Sequence, residues 1–203
     1  MQNMDIKNLP IYLAEINDND EGIATISLVD FPATQRNFVC FEEAKEMQMF
    51  SVQDEEQHII TGVVMSANTP IYRRNQDGFE YYLVYTPETI RFMAEKLFVD
   101  NNQNQIEILH NGKLIEGVYL VELFIKESSK GVSPNYLENV TDGSLIATYK
   151  VRNDEVWNEI KSGELNGFSL SGWFSIKKEE SENSEEDDLQ EILSSLKKLR
   201  HIK

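Results

Sequence analysis

Apolar residues in this chain come in short runs: IYLAEI (11–16), IATISLVDF (23–31), HIITGVVM (58–65), FEYYLVY (79–85), GVYLVELFI (117–125) and SLIATYKV (144–151). Runs of this length, closed by turn-forming Gly, Asn, Asp and Pro, fit strands and are too short for most helices. Helical spacing with end signals occurs at two places. Over 87–98, Thr86 is placed to cap, Pro87 and Glu88 suit a first turn, and Ile90, Met93, Ala94, Leu97 and Phe98 form one apolar face. Over the second, Asn153 caps, Asp154 and Glu155 follow, Val156, Trp157 and Ile160 form the face, and Gly163 ends the helix. A shorter helix is expected over EEAKEMQMF (42–50). The class is therefore α+β, with a sheet-rich core.

A chain of 203 residues supports one sizeable core, so residues 1–178 are read as a single domain. After Lys178 the composition changes to EESENSEEDD, a solvated acidic linker over 179–188 that cannot bury a core. Residues 189–203 then set Leu189, Ile192, Leu193, Leu196 and Leu199 on one face of an amphipathic C-terminal helix. So short a helix is marginal alone, and it is expected to dock either on a partner or back on its own domain.

Acidic residues outnumber Lys and Arg by 35 to 19, a net charge of −16, which opposes broad contact with nucleic-acid phosphates or anionic lipid. No apolar stretch of about 18 residues is present to cross a membrane. Cys40 is the lone cysteine, so no internal disulfide can form and a reducing, intracellular setting is expected.

Three histidines are the candidates for a general base. His201 lies in the tail, and His58 begins a strand after an acidic run. His110 ends IEILH, on the side of Ile106 and Ile108, just before the turn residues Asn111 and Gly112. In GFSLSGWFSI (167–176), Phe168, Leu170, Gly172, Phe174 and Ile176 alternate with Ser169, Ser171, Trp173 and Ser175, the period of a half-buried strand. Both Ser169 and Ser171 thus share one face. A serine hydroxyl is a poor nucleophile until a base takes its proton, which directs attention to His110. Glu122, within GVYLVELFI, shares its expected face with Val118, Leu120 and Phe124. It is either half of a structural ion pair or the group that orients the histidine. No paired His spacing, Cys cluster or Gly-rich phosphate loop occurs, so neither a metal nor a cofactor is expected.

Taken in order, GVVMSANTPIYRR (62–74), YYLVYTPETIRFMAEKLF (81–98), ILHNG (108–112), GVYLVELFI and EVWNEIKSGELNGFSLSGWF (155–174) resemble successive blocks of the XkdF-like prohead proteases. The resemblance spans about residues 57 to 176. It implies the fold of herpesvirus assemblin, a closed, mainly antiparallel β-barrel flanked by a few helices. It implies Ser169 as nucleophile and His110 as base, with Ser171 the weaker nucleophile. Assemblin's second histidine has no counterpart at His58 or His201, which leaves Glu122 as the expected third residue. The implied function is a serine endopeptidase that cleaves phage scaffold and major capsid precursor proteins inside the assembling prohead in the host cytoplasm, with a second copy of the chain as a dimer partner. The alternative is an inactive virion protein that keeps the same fold.

Overall fold

The hydroxyl of Thr86 accepts the backbone N–H of Thr89 at 3.2 Å, and the helix it caps, α1 (Pro87–Val99), buries Ile90, Met93, Ala94 and Leu97. Asn153 caps α2 (Asp154–Ser162) by accepting from the N–H groups of Glu155 and Val156, and Gly163 closes it in the left-handed conformation. Both helices were legible as amphipathic stretches with their end signals. The computed structural model describes residues 9–16, 22–30, 51–75 and 77–178. The helix expected over 42–50, the acidic linker over 179–188 and the C-terminal helix over 189–203 lie outside the described residues, as does Cys40.

The strands are β1 (Ile11–Glu15), β2 (Gly22–Val29), β3 (Ser51–Asp54), β4 (Ile59–Met65), β5 (Ile71–Arg74) and β6 (Glu80–Val84), followed after α1 by β7 (Ile106–Ile108), β8 (Val118–Ile125), β9 (Leu145–Val151), and after α2 by β10 (Gly167–Trp173) and β11 (Ser175–Lys178). They form three sheets, β11-β1-β6-β5, β10-β2-β7 and β3-β4-β9-β8. Most neighbours are antiparallel, while β1 with β6 and β2 with β7 run parallel.

The described strands are a mixed, open arrangement and not the closed barrel that was expected. The reason is visible at Phe174. There the alternating run 167–176 divides between two ladders, β10 pairing with β2 and β11 with β1, while the β3-β4-β9-β8 sheet pairs with neither. Phe174 turns inward at that division and meets the ring of Tyr85 edge-on, with centroids 5.5 Å apart. One apolar core nevertheless joins the three sheets and both helices, with Ile26, Leu28, Ile60, Leu83, Ile90, Leu97, Ile106, Tyr149 and Phe168 all essentially excluded from solvent. His58 belongs to this framework. Its ring stacks on Trp157 at 4.3 Å, and its Nδ1 lies 3.2 Å from the carbonyl of Val151.

The approach of β10 to β2 is tightest at Gly172. A Cβ there would stand 2.1 Å from the carbonyl oxygen of Gly22, far inside van der Waals contact and against backbone that cannot rotate away. Gly172→Ala should therefore push β10 off β2 and lower the unfolding free energy by roughly 1–3 kcal/mol or more, read from the urea midpoint at unchanged slope.

Candidate active site

Register in the β10-β2-β7 sheet sorts side chains into rows. Phe168 pairs with Leu28 and Leu28 with Ile108, while Leu170 pairs with Ile26 and Ile26 with Ile106, giving two apolar rows on the core face. Between them, on the opposite face, Ser169 pairs with Ser27 and Ser27 with Glu107. Ser171 and Thr25 extend this polar face by one pair. Strand alternation alone therefore places two serines, a threonine and a carboxylate side by side.

The backbone then brings a histidine over them. β7 ends at Ile108, and Leu109 and His110 follow with φ of 51° and 54°. Two consecutive non-glycine residues in the left-handed region are uncommon and disfavoured by roughly 1–2 kcal/mol each. The turn is held by the Leu109 N–H donating to the Leu28 carbonyl at 3.0 Å and by Asn111 N–H to Ile108 at 3.1 Å. Simple alternation would leave His110 on the side of Ile106 and Ile108, as the sequence suggested. The left-handed turn swings it instead to the face of Glu107, where its side chain remains 41% exposed. Backbone strain of this kind concentrates where a side chain must be held in an unusual place.

His110 Nε2 lies 3.0 Å from Ser169 Oγ. On the other side of the ring, Nδ1 lies 2.8 Å from Ser171 Oγ, 3.0 Å from Ser27 Oγ and 3.5 Å from Glu107 Oε1. Glu107 is only 4% exposed and is saturated with donors. Oε1 accepts from Ser27 Oγ at 2.8 Å and Thr25 Oγ1 at 3.0 Å, and Oε2 accepts the Gly112 N–H at 2.8 Å. Burial works against its ionisation, but the hydrogen bonds from Ser27, Thr25 and Gly112, with His110 nearby, together hold its carboxyl below the usual range. A serine hydroxyl, an imidazole and a buried carboxylate thus stand together, the side-chain types that hydroxyl-centred acyl transfer draws on. Among the described residues, no group of His, Cys, Asp and Glu is arranged to hold a metal ion.

Beside Ser169 a narrow cavity of about 20 Å³ is lined by Val64, Ser66, Ile71, Arg73 and Tyr85, room for about one water-sized group. Burial pushes the pKa of the Tyr85 hydroxyl up to about 12, partly offset by the Arg73 guanidinium.

The structure thus brings Ser169 and His110 together and leaves Glu122 elsewhere. Register against β9 passes from Leu120–Tyr149 to Glu122–Thr148, so Val121 is an extra residue and the strand changes parity at this bulge. Leu123 and Ile125 then take the core face, while Phe124 packs on a second small cluster with Val63, Leu137 and Ile146. Glu122 goes with Phe124, exposed in a shallow hollow beside Pro134 and Tyr136. It makes neither an ion pair nor a hydrogen bond with His110, and the carboxylate of the site is Glu107. Sequence reasoning missed Glu107, Ser27 and Thr25. The available signal was the lone acid inside the apolar triplet Ile106–Ile108, opposite the polar positions of ATISLV in the adjacent strand.

Compared with known proteins, residues 46–178 match the model of the family described as "Putative phage serine protease XkdF". The "Phage-like element PBSX protein XkdF" of Bacillus subtilis (strain 168) is 26% identical over 165 residues, covering 78% of this chain and 54% of that protein. The chain thus spans about half the length of the curated relative it matches. No solved structure matches it.

Because the folded carboxyl of Glu107 titrates below its unfolded value of about 4.3, its contribution to stability is complete above that pH and is lost as pH falls through the lower, folded value. Thr25→Val removes one donor without leaving a new polar group. It should lower stability at pH 7 by about 1.5 kcal/mol and move the onset of acid unfolding upward, followed by circular dichroism across pH.

Proposed function

Because this chain belongs to the XkdF family of phage serine proteases, we propose that it is a serine endopeptidase in which Ser169 attacks a peptide carbonyl and His110 takes and returns the proton. The observation that carries this reading is the 3.0 Å separation between His110 Nε2 and Ser169 Oγ, already a hydrogen-bond length without substrate. Attack forms the Oγ–C bond as the proton passes to Nε2, and collapse of the tetrahedral intermediate expels the amine, which takes that proton. Water, deprotonated by the same nitrogen, then releases the acyl group and restores Ser169. Backbone N–H groups at the nucleophile strand stabilise the oxyanion in this scheme. The pairing of a serine with one histidine also suits kinship with assemblin, although here a carboxylate stands near the imidazole where assemblin has a second histidine.

The substrates in this reading are phage scaffold and major capsid precursor proteins, cut inside the assembling prohead in the host cytoplasm. Support comes from the resemblance of the five sequence blocks to prohead proteases and from a relative that belongs to a phage-like element. Of the two serines, Ser169 is assigned the attack because it is buried to 7% exposure in the strand centre and faces Nε2, whereas Ser171 faces Nδ1 beside the carboxylate.

Co-expression with the scaffold and capsid precursors of the same phage, followed by intact-mass analysis, tests this directly. Ser169→Ala should abolish site-specific cleavage, a loss of at least about 10⁴-fold, while Ser171→Ala should retain measurable processing. Cleavage by the Ser169→Ala protein at the parental rate would show that another group performs the attack.

A further inference from the structure

The unusual feature of the site is that its buried carboxylate reaches the histidine chiefly through a hydroxyl. Ser27 Oγ stands 2.8 Å from Glu107 Oε1 and 3.0 Å from His110 Nδ1. An ionised carboxylate accepts hydrogen bonds and donates none, so the hydroxyl at 2.8 Å from it has to donate. A serine carries one hydroxyl proton. With that proton committed to Glu107, the Ser27 oxygen can only accept from the imidazole, and the ring proton therefore resides on Nδ1. Ser171 repeats the logic, since its Oγ is 2.8 Å from the same Nδ1 and 3.5 Å from Glu107 Oε1. Nε2 is left with its lone pair directed at Ser169 Oγ.

We infer that Glu107 is a positioning residue that sets the tautomer of His110 through Ser27, keeping Nε2 unprotonated and free to accept the proton of Ser169. This rests on the proteolytic reading of Ser169 and His110 and adds to it the group that makes the histidine a base. No proton moves onto Glu107 in the scheme. When Ser169 attacks, its proton passes to Nε2, the imidazolium keeps its Nδ1–H toward Ser27 and Ser171, and the fixed negative charge beyond them stabilises that cation.

Substitution by glutamine makes a sharp test because the surroundings dictate how the amide must lie. The Gly112 N–H, 2.8 Å from Oε2, requires an acceptor there, so the amide oxygen takes that place and the NH₂ group faces Thr25 and Ser27. Ser27 then accepts from the amide and turns its own proton toward Nδ1. The ring proton is displaced to Nε2, where it points at Ser169 and blocks attack. Glu107→Gln should thus invert the tautomer in a nearly isosteric site, whereas Glu107→Asp, still only an acceptor, should keep it.

The experiment reads the tautomer and reactivity separately. Nitrogen-15 NMR of the full chain reports which nitrogen of His110 carries the proton, and labelling by a fluorophosphonate reports the nucleophile, since Ser169 forms the O–P bond as fluoride leaves with the proton. The parental protein should show the Nδ1–H form, and Glu107→Gln the Nε2–H form with labelling slowed on the order of 10²–10³-fold, less than the 10⁴-fold of a carboxylate bonded directly to its histidine. Glu107→Asp should recover part of that rate and the parental tautomer. An Nε2–H parental histidine, or a Glu107→Gln protein that keeps the parental tautomer or labels within about threefold of the parental rate, would overturn the inference. If the glutamine variant does not fold, Glu107→Ala takes its place: keeping the parental Nδ1–H tautomer there would overturn the inference, and losing it would support it. Absence of labelling in the parental protein would count against proteolysis instead, leaving the tautomer measurement to judge the role of Glu107.

Discussion

An ionised carboxylate excluded from water has to find its donors inside the protein, and the half of this structure that holds the candidate site is arranged around that requirement at Glu107. Three of its donors come from two segments distant in sequence, Thr25 and Ser27 on β2 and the Gly112 N–H beyond β7. Each is usable only in the observed register. A slip of one residue between β2 and β7 would set Ile26 or Leu28 against the carboxylate and send Ser27 into the core. The apolar rows on the other face, Phe168–Leu28–Ile108 and Leu170–Ile26–Ile106, enforce the same register from below. Polar satisfaction and core packing thus select one alignment, and that alignment sets Ser169 in line with Ser27.

The turn after β7 follows from the same requirement. To bring the Gly112 N–H back to Glu107, the chain must reverse within a few residues, and it does so through left-handed Leu109, His110 and Gly112. Glycine adopts this conformation without strain, while Leu109 and His110 do not. The saturated carboxylate on one side and the Leu109 N–H bonded to Leu28 on the other hold them there. The backbone of His110 is consequently fixed from both ends of its own turn, and the hydroxyls of Ser169, Ser171 and Ser27 orient the ring.

How much of this was legible in the sequence depended on whether local rules or chain crossings decided the outcome. Both long helices could be read because Thr86 and Asn153 cap within their own segments and the apolar spacing is local. The shared face of Ser169 and Ser171 followed from strand alternation and holds in β10. The pairing of Ser169 with His110 was suggested by resemblance, since 59 residues separate them and no local pattern links them. Glu122 was misread because an inserted residue at Val121 inverts parity, and nothing in GVYLVELFI marks where a bulge falls. Glu107 was passed over because IEILH reads as a plain apolar strand end. Its neighbours Thr25 and Ser27 lie some 80 residues away. Closure of a barrel was likewise not a local property: the break at Phe174 separates two of the three sheets, and the β3-β4-β9-β8 sheet pairs with neither among the described strands.

The two serines of GFSLSGW show why a motif alone does not name the nucleophile. Residues two apart on a strand project from the same face about 6.5 Å from one another, a spacing that an imidazole laid between them can bridge. Ser169 meets one ring nitrogen at 3.0 Å and Ser171 the other at 2.8 Å, so distance does not separate them. What separates them is the asymmetry beyond the ring. Glu107 and Ser27 lie on the Nδ1 side together with Ser171, and among the described residues the hydrogen bond of Nε2 is to Ser169. Under the proposed mechanism, the distinction between two chemically identical hydroxyls is made by a carboxylate on a third strand, placed there by the register of β2 and β7.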